Sequence, residues 1–389
     1  MNVLLAMPWD QRTGGVTHVA TSLARSLETR GHQAQFLFPS ESGFRISART
    51  SLRGFPSIYC RLRNFPPEQP PWRARLSWYS TVLTTLPQLV RHGLSRRVDL
   101  INIHYPVEGF ALLVDLARCL RVPLVVSAHG SELLPDAGSS RGKGLLRQLE
   151  RADAVVVPSQ NYLRSVVDVL PWLRDKIRCI HNGYDEEELS AVGAVPVDSG
   201  EPDVTALCIA ALIPKKGIDV LLHGLRHSSS DQLKVRLIGE GPLRRELESL
   251  SATLGLSQRV AFLGPKSRDG VFAELVRCDL LVMPSRGESF GLAALEAMAC
   301  AKPVIASAVG GLLELVGDRE TGLLVRPDDP TALAGALDLL AGDPALRVSL
   351  GSAGRSKAKR FTVRLTADMY EALFTELALA NGPTRAEPR

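Results

Sequence analysis

The chain has 389 residues, which is too long for one ordinary hydrophobic core and suits two α/β domains. Its 45% hydrophobic and 22% charged residues are typical of a globular protein, and without a run of about 18 apolar residues no transmembrane helix is predicted. The net charge is only +5 but is unevenly divided: residues 1–180 hold 23 Lys and Arg against 13 Asp and Glu, and residues 181–389 hold 23 against 28.

Residues 1–8 are mostly apolar and lack a basic leader, so they predict a first strand rather than a signal peptide. The six cysteines are scattered, with no C-x-x-C pair, which predicts reduced and mostly buried thiols. Together these two features predict a cytoplasmic protein.

Short apolar segments recur along the chain, and helical periodicity follows them. In the first half the predicted strands are 3–6, 100–103, 124–127, 154–157 and 177–180. In the second half they are 206–212, 235–238, 260–263, 280–283 and 303–306, with a weaker candidate at 323–325. Helical patterns include 17–30, 107–120, 243–254 and 330–340. This alternation predicts parallel sheets that are covered by helices on both faces.

Two such series of strands and helices predict two Rossmann-like domains, an N-terminal one over residues 1–185 and a C-terminal one over residues 203–360. The stretch 186–202 is polar, contains glycine and proline, and has no periodic pattern, so it is the predicted linker. Residues 361–380 are predicted to form a C-terminal helix, and residues 381–389 a disordered tail.

Residues 45–97 hold ten arginines and a single acidic residue, Glu68, with Trp and Tyr interleaved. Basic residues beside such aromatics suit an anionic membrane surface or an anionic, lipid-linked acceptor. A solvated basic face beside an ordinary core stripe fits the same composition. Peripheral contact with the inner face of a membrane is therefore a hypothesis, whereas no recognised module predicts nucleic-acid binding.

In open parallel sheets, ligands bind at the carboxyl ends of strands, so polar or glycine residues just after the predicted strands are candidates for a site. Gly14 and Gly15 follow the first strand, and without side chains they let the backbone approach a phosphate, although a plain tight turn fits equally well. Gly239 follows the strand 235–238 in the same way.

Three further polar residues follow predicted strands. His129 is a candidate sugar contact, although a lone histidine at a strand end is more often structural. Lys215 and Lys216 precede a helix, where a lysine that faces a diphosphate would neutralise leaving-group charge. Lysines in loops are usually solvated, so this pair is weak evidence by itself.

Glu288 and Glu296 lie eight positions apart around a turn that follows the strand 280–283 and opens a helix. Such a turn places backbone N–H groups and the positive end of the helix dipole where an anion can bind. One carboxylate could then bind a sugar hydroxyl and the other a ribose hydroxyl, as a nucleotide sugar requires. Glutamates on helices are common, so a functional interpretation of this pair depends on the other motifs in the chain.

Motifs that are absent from the sequence argue against several kinds of metal site and several classes of enzyme. The chain has no Asp-x-Asp and no His/Cys cluster with metal-ligand spacing, so no divalent ion or other cofactor is expected. It also lacks G-x-G-x-x-G and the P-loop, which argues against a dinucleotide enzyme and an NTPase.

In their order and spacing, the motifs resemble those of the retaining GT-B glycosyltransferases of family 4, over nearly the whole chain. The resemblance rests on Gly14-Gly15, His129-Gly130, Asn182-Gly183-Tyr184-Asp185, Lys216-Gly217, Gly239-Glu240-Gly241-Pro242, Phe262-Leu263-Gly264, Pro284-Ser285, Glu288-x7-Glu296 and Gly310-Gly311. It implies an α/β GT-B fold, with two Rossmann-like domains facing across a cleft and a C-terminal helix that returns to the N-terminal domain.

The resemblance also implies transfer of a hexose from a nucleoside-diphosphate sugar, UDP before GDP, to a glycan, lipid-linked or small-molecule acceptor, with retained anomeric configuration, as in polysaccharide biosynthesis. The implied catalytic residues are Glu288 on sugar hydroxyls, His129 on the donor sugar and Lys216 on the diphosphate. The implied donor-binding residues are Gly15, Lys215, Phe290, Gly291, Leu292, Gly239 and, on the ribose, Glu296. The acceptor is implied to meet Gly14 and Gly15.

One position departs from the family pattern. Members commonly carry Arg in a Gly-Arg-Leu-x3-Lys-Gly stretch, and this chain has Ala211 there. A charge-assisted hydrogen bond to a buried phosphate is worth about 1.5–3 kcal/mol, and Lys215 is a candidate to replace it. Ala211 leaves open a non-catalytic GT-B protein that binds a nucleotide sugar or a partner. A GT-B sugar-nucleotide 2-epimerase is the third alternative.

Overall fold

A computed structural model of the protein describes residues 1–10, 14–40, 46–50, 54–62, 71–130, 132–134, 142–191 and 203–380. The chain forms two compact units: Met1–His181 together with Val363–Arg389, and Asn182–Thr362. The predicted tail 381–389 and the linker residues 192–202 lie outside the described residues.

The first unit is built on a sheet of eight described strands. They are β1 (Asn2–Ala6), β2 (Gln33–Pro39), β3 (Ser47–Thr50), β4 (Pro56–Cys60), β5 (Leu100–His104), β6 (Leu124–Ser127), β7 (Ala154–Val157) and β8 (Ile177–Cys179). Their order is β3-β4-β2-β1-β5-β6-β7-β8, and the neighbouring pairs are parallel except that β3 runs antiparallel to β4 at the edge.

Helices bury both faces of this sheet. They are α1 (Gly15–Thr29), α2 (Pro71–Arg96), α3 (Ala111–Leu120), α4 (Lys143–Arg151) and α5 (Gln160–Val169). Because successive side chains of a strand point to opposite faces, Leu4 and Ala6 enter one hydrophobic core while Val3 and Leu5 enter the other. Across the described helices, none is both long and apolar enough to cross a bilayer.

The second unit has a parallel sheet of six described strands. They are β9 (Val204–Ile209), β10 (Leu233–Ile238), β11 (Val260–Gly264), β12 (Leu280–Met283), β13 (Val304–Ser307) and β14 (Gly322–Val325), in the order β11-β10-β9-β12-β13-β14. Its helices are α6 (Glu186–Ala191), α7 (Ile218–His227), α8 (Arg244–Thr253), α9 (Arg268–Arg277), α10 (Leu292–Ala299), α11 (Leu312–Leu315), α12 (Pro330–Gly342) and α13 (Pro344–Ala358). The order makes β9 and β12 central neighbours.

The last helix, α14 (Val363–Ala380), returns to the first unit, which confirms the predicted return. It packs on α1, where Arg30 pairs with Glu371 at 2.9 Å and with Asp368 at 2.8 Å. Tyr370 is buried in the core that β1 and β5 share with this helix.

Every predicted strand is present, although β9 ends at Ile209, before the predicted end at 212. Strands β2, β3 and β4 were not predicted: β2 mixes Gln with its apolar residues, and β3 and β4 are short strands at the sheet edge. Residues 186–191 of the predicted linker form helix α6. The units divide ahead of the predicted boundary at 185, since Tyr184 donates its backbone N–H to Phe361 O at 3.0 Å.

Candidate functional site

Three loops at the carboxyl edge of the second sheet carry most of the predicted donor-site residues. The loop after β9 carries Lys215 and Lys216, the loop after β12 carries Glu288, and the loop after β13 carries Gly310 and Gly311. Since β9, β12 and β13 are consecutive neighbours in a parallel sheet, their following loops lie side by side. The strand order therefore gathers residues from three separate parts of the chain.

Lys216 and Glu288, two of the predicted catalytic residues, form a direct ion pair. The Lys216 ammonium donates a hydrogen bond to Oε2 of Glu288. The two side chains are 22% and 12% exposed, so the pair is shielded but reachable from solvent. An ammonium has three N–H donors and a carboxylate has two accepting oxygens, so this contact leaves both groups able to bind a ligand.

Arg286, which the sequence analysis missed, fastens the β12 loop to the lysine loop. Its backbone N–H donates to Lys215 O at 2.8 Å, and its Nη1 donates to Pro214 O at 2.6 Å. The guanidinium also pairs with Asp219 (Nη2–Oδ2 2.7 Å) and Asp328 (Nε–Oδ1 2.6 Å). Burial opposes the charge on Asp219, but the hydrogen bonds and charge of Arg286 lower the pKa of that carboxyl below its ordinary value. These contacts of Arg286 fix the positions of the two loops relative to each other.

The glycine pair Gly310-Gly311 allows the β13 loop to approach the backbone of Glu288. Gly310 has a φ of +48°, and a Cβ there would lie 1.8 Å from Glu288 O. The N–H of Gly311 donates to that carbonyl at 3.0 Å. Only glycine permits this approach, so the pair supports the backbone that presents the Glu288 carboxylate.

Gly239, a predicted donor contact, is required by packing. Its φ is +140°, and a Cβ there would lie 1.9 Å from Ala210 O, in the loop that follows β9. Contact between the β10 and β9 loops therefore explains a glycine at this position. Its role in donor binding stays a prediction.

Helix α10 begins at Leu292, directly after Gly291, whose φ of 102° is left-handed. Phe290 is buried, and its ring lies edge-on to Phe361 with 6.1 Å between centroids. The Phe290 side chain therefore belongs to the core, and at this position only backbone groups can meet a ligand. The first N–H groups of a helix have no intrahelical partner and attract anions. These backbone contacts with a donor stay predictions.

Glu296, on the buried side of α10, is held by an arginine that the sequence analysis also missed. One oxygen of Glu296, which is 2% exposed, accepts from Nη2 of Arg268 at 2.7 Å. The Nε of Arg268 donates to Glu188 at 3.1 Å, and its guanidinium lies over the Phe272 ring at 4.9 Å. Burial raises the pKa of Glu296 above its ordinary value, and the charge of Arg268 opposes that rise. The carboxylate is thus oriented by Arg268, and its predicted contact with a ribose stays a prediction.

Gly14 and Gly15 lie in the first unit, where α1 begins. The carbonyl of Gly14 accepts from the backbone N–H of His18 at 3.0 Å, in the first turn of the helix. A Cβ at Gly14 would meet no heavy atom within 4 Å, and its φ of 165° is ordinary extended backbone. Packing therefore does not require glycine at this exposed position. The predicted contact with a phosphate or acceptor stays a prediction.

His129 lies in the first unit just after β6. Its Nε2 lies 3.0 Å from Nδ1 of His104, the rings stack with 5.2 Å between centroids, and its backbone N–H donates to Glu132 at 2.8 Å. Burial lowers the pKa of His129 to about 4. Burial, and then the neighbouring His129, lower the pKa of His104 well below its ordinary value. Both rings are therefore neutral near pH 7, so His129 can offer a hydrogen bond but no charge.

The missed residues differ in how they could have been found. His104 ends β5, directly after the predicted strand 100–103, so the strand-end rule that selected His129 applies to it as well. Arg268 and Arg286 carry no such signal, because each acts through carboxylates that are distant in sequence.

Two family models match the chain: Glycosyltransferase Family 4 over residues 13–188 and Glycosyl transferases group 1 over residues 196–357. An uncharacterized glycosyltransferase of Methanocaldococcus jannaschii is 31% identical over 268 residues, which cover 69% of this chain and 72% of that protein. The D-inositol 3-phosphate glycosyltransferase of Corynebacterium efficiens is 31% identical over 313 residues, which cover 72% of each chain.

Solved structures share the architecture over nearly the whole chain. Sucrose-phosphate synthase from Thermosynechococcus elongatus has a TM-score of 0.75 at 24% identity, covering 97% of this chain and 99% of its own. Anabaena HepE in complex with UDP has a TM-score of 0.75 at 21% identity, covering 97% of this chain and 100% of its own. At these identities the likeness concerns the fold, and it confirms the predicted α/β GT-B class.

Proposed function

The chain belongs to glycosyltransferase family 4, among the group 1 glycosyl transferases, and from this membership we propose its reaction. The protein moves a hexose from a nucleoside-diphosphate sugar to a glycan, lipid-linked or small-molecule acceptor, with retained anomeric configuration. The observation that carries the proposal is the ion pair between Lys216, in the loop after β9, and Glu288, in the loop after β12. UDP is the first nucleotide proposed, because HepE was solved with UDP and with UDP-glucose, and GDP is the second.

The candidate site residues of the second unit have the following roles in the proposed reaction. Lys216 binds the diphosphate and neutralises the charge that develops as the sugar–phosphate bond breaks. Lys215 adds a second cation from the same loop. Glu288 binds sugar hydroxyls, and the N–H groups at the start of α10 bind sugar and phosphate. Glu296, oriented by Arg268, accepts a hydrogen bond from a ribose hydroxyl.

The proposed step exchanges one C–O bond for another at the anomeric carbon. The bond to the diphosphate oxygen breaks with its electron pair, and the acceptor hydroxyl oxygen attacks from the face that the phosphate leaves. The acceptor proton passes to a leaving phosphate oxygen, so no further base is needed. His129 gives the donor sugar an uncharged hydrogen bond, and Gly14 and Gly15 approach a phosphate or the acceptor.

Ala211 raises the question of how the diphosphate is neutralised. This exposed residue stands where family members commonly carry arginine. Lys215 is proposed to compensate, because its side chain runs along the loop that carries Glu288: its Cε would lie 3.0 Å from a Cβ at Gly287. A second candidate function, nucleotide-sugar binding without turnover, rests on the same alanine.

Calorimetric titration with UDP, GDP and ADP tests the donor site. One nucleotide is expected to bind with a Kd of about 1–100 μM, and its hexose conjugate to be turned over with an acceptor panel. Each titration is run with and without magnesium, since among the described residues no group of three or more His, Cys, Asp or Glu is placed to hold a metal.

Three outcomes of this experiment distinguish the proposed transferase from a protein that binds a nucleotide sugar without turnover. Failure of all three nucleotides to bind would overturn the proposal. Binding without turnover would favour the second candidate. Where product forms, NMR of its anomeric centre tests retention, and an inverted product would overturn the proposed stereochemistry while leaving the transferase in place.

Ala211→Arg is expected to tighten binding of the recognised nucleotide about tenfold, which corresponds to about 1.4 kcal/mol. The lower end of the range for charged hydrogen bonds applies because Lys215 already supplies a cation. Ala211→Met adds length without charge and should leave the affinity unchanged. Equal gains in the two variants would show that charge at position 211 does not reach the phosphate.

We further propose that the first unit rests on an anionic membrane surface through α2. Tyr79, Leu83 and Leu94 are 62%, 76% and 52% exposed. At about 100° per residue they fall within about 60° of one another on the helix, with Arg91 and Arg96 on either side. An exposed apolar stripe flanked by arginines is the pattern of a helix that lies at an interface.

Co-flotation with vesicles rich in anionic phospholipid tests this surface. Leu83→Asp is expected to reduce flotation severalfold, and high salt to reduce it further. Leu379→Asp on α14 is the matched control, since both leucines are 76% exposed. Equal losses in the two variants would contradict the proposal. Parts of the predicted segment 45–97, Arg63 among them, lie outside the described residues.

A further inference from the structure

A continuous chain of side-chain hydrogen bonds joins the C-terminal helix to His129. The hydroxyl of Tyr370 donates to Ser127 Oγ at 3.0 Å, and Ser127 Oγ donates to Asn102 Oδ1 at 2.9 Å. Asn102 Nδ2 lies 3.0 Å from His104 Nε2, and His104 Nδ1 lies 3.0 Å from His129 Nε2. All five residues belong to the first unit. The chain therefore links α14 with β5, β6 and His129, the second residue after β6.

The inner members of this chain are closed to solvent. Tyr370 is 2% exposed, Ser127 is 1% exposed, and Asn102 and His104 are fully buried. A buried polar group without a hydrogen bond costs about 1–3 kcal/mol, so each link must be occupied by one donor and one acceptor. The five residues can satisfy this condition only if all the hydrogen bonds run in one consistent direction.

The direction is set at the Tyr370 end. Within the described part of the chain, Ser127 Oγ is the hydrogen-bond partner of the Tyr370 hydroxyl, and that hydroxyl must donate because its buried proton would otherwise be unpaired. The single proton of Ser127 then goes to Asn102 Oδ1, which turns the Asn102 amide nitrogen toward His104. The facing nitrogen of His104, Nε2, must accept.

The donor and acceptor nitrogens of His104 and His129 follow from the same condition. His104 is neutral because burial lowers its pKa, so with Nε2 accepting, its one proton is on Nδ1 and is donated to His129 Nε2. His129 is also neutral, with its pKa lowered to about 4, and its Nε2 accepts. The remaining proton of His129 is therefore on Nδ1.

We propose that Tyr370 is a positioning residue that, through Ser127, Asn102 and His104, fixes His129 in its Nδ1–H tautomer. His129 then acts toward a ligand as a hydrogen-bond donor from Nδ1 and recognises an oxygen that accepts. The identification of that oxygen with one on the donor sugar rests on the proposed function, whereas the tautomer does not. The C-terminal helix thereby helps to define the chemistry of a residue more than two hundred positions earlier in the chain.

Nitrogen-15 NMR of histidine-labelled protein tests the inference directly, because the shifts of Nδ1 and Nε2 report which nitrogen carries the proton. The His129 signals are assigned by comparison with His129→Gln. We expect Nδ1 to be protonated in the wild type. Tyr370→Phe removes the donor that sets the direction, and it should replace the single tautomer by an average of two. Ser127→Ala breaks the next link and should do the same.

Tyr162→Phe is the matched control. It removes another buried hydroxyl, which donates to Gly130 O beside His129 but is outside the chain, and it should leave the tautomer unchanged. A wild-type His129 protonated on Nε2 would overturn the inference. An unchanged tautomer in both Tyr370→Phe and Ser127→Ala would also overturn it. If the proposed function alone is wrong, the wild type keeps the Nδ1–H tautomer and binds no nucleotide sugar.

Discussion

Glu288→Gln is expected to lower the rate of sugar transfer by about 10²- to 10³-fold while the protein stays folded. Glutamine keeps the size of the side chain but removes the charge that pairs with Lys216, and it replaces one of the two oxygens that are proposed to accept hydrogen bonds from sugar hydroxyls. Loss of one charged interaction aimed at the reacting centre is worth about 2.7–4 kcal/mol of transition-state stabilisation. The fold should survive because the carboxylate is partly exposed rather than sealed in the core.

The measurement is kcat and KM for the recognised donor, with circular dichroism to confirm folding. Glu248→Gln is the matched control, since this carboxylate is 44% exposed, pairs with Arg244 on α8 and should not affect transfer. Lys216→Met should give a comparable loss, and the double variant should lose far less than the sum if the pair acts as a unit. Near-full activity in Glu288→Gln would contradict the role assigned to this residue.

This ion pair also shows what the sequence could predict about the site. The rule that ligands bind at the carboxyl ends of parallel strands placed Lys216 and Glu288 on one edge of a sheet. It could not make them neighbours, because β9 and β12 lie far apart in the chain and become adjacent only through the strand order β10-β9-β12. Which residues share an edge can be predicted from local pattern, whereas which of them touch depends on strand order.

The supporting residues were harder to predict for a related reason. Arg286 donates a hydrogen bond to Asp219, and Tyr370 donates one to Ser127, although the partners lie 67 and 243 positions apart in the sequence. No sequence periodicity predicts contacts over such separations. The glycines were noticed in the sequence, but their physical role was not: Gly310 is there because the backbone of Glu288 approaches it. Such contacts are set by tertiary packing, and a single sequence contains no local signal for them.

Arg268→Met is expected to lower the free energy of unfolding of the second unit by about 3 kcal/mol near neutral pH. The variant keeps the apolar stem over Phe272 but leaves the Glu296 carboxylate buried without its cation. Breaking one half of a buried ion pair costs about 3–5 kcal/mol, and the lower end applies because the Arg268 side chain is 30% exposed. The predicted ribose contact should weaken as well, since Glu296 loses the group that orients it.

The loss in Arg268→Met should depend on pH with a definite sign. The pKa of Glu296 in the folded protein is already raised by burial, and removing Arg268 takes away the charge that opposes this rise. The folded state then binds a proton that the unfolded state has released, so stability falls as pH rises through the interval between the two pKa values. Urea unfolding at about pH 5 should therefore show a smaller penalty than at about pH 7.

Far-UV circular dichroism should follow this unfolding, because all four tryptophans precede the second unit in the chain. Adding Glu296→Gln to Arg268→Met removes the stranded charge, so the double variant should recover part of the lost stability and lose its dependence on pH. Arg244→Met breaks ion pairs with Glu240 and Glu248, whose carboxylates are 55% and 44% exposed, so its cost should not differ between the two pH values. An equal penalty for Arg268→Met at both pH values would show that Glu296 is not the group that titrates, and that Arg268 stabilises the unit by packing alone.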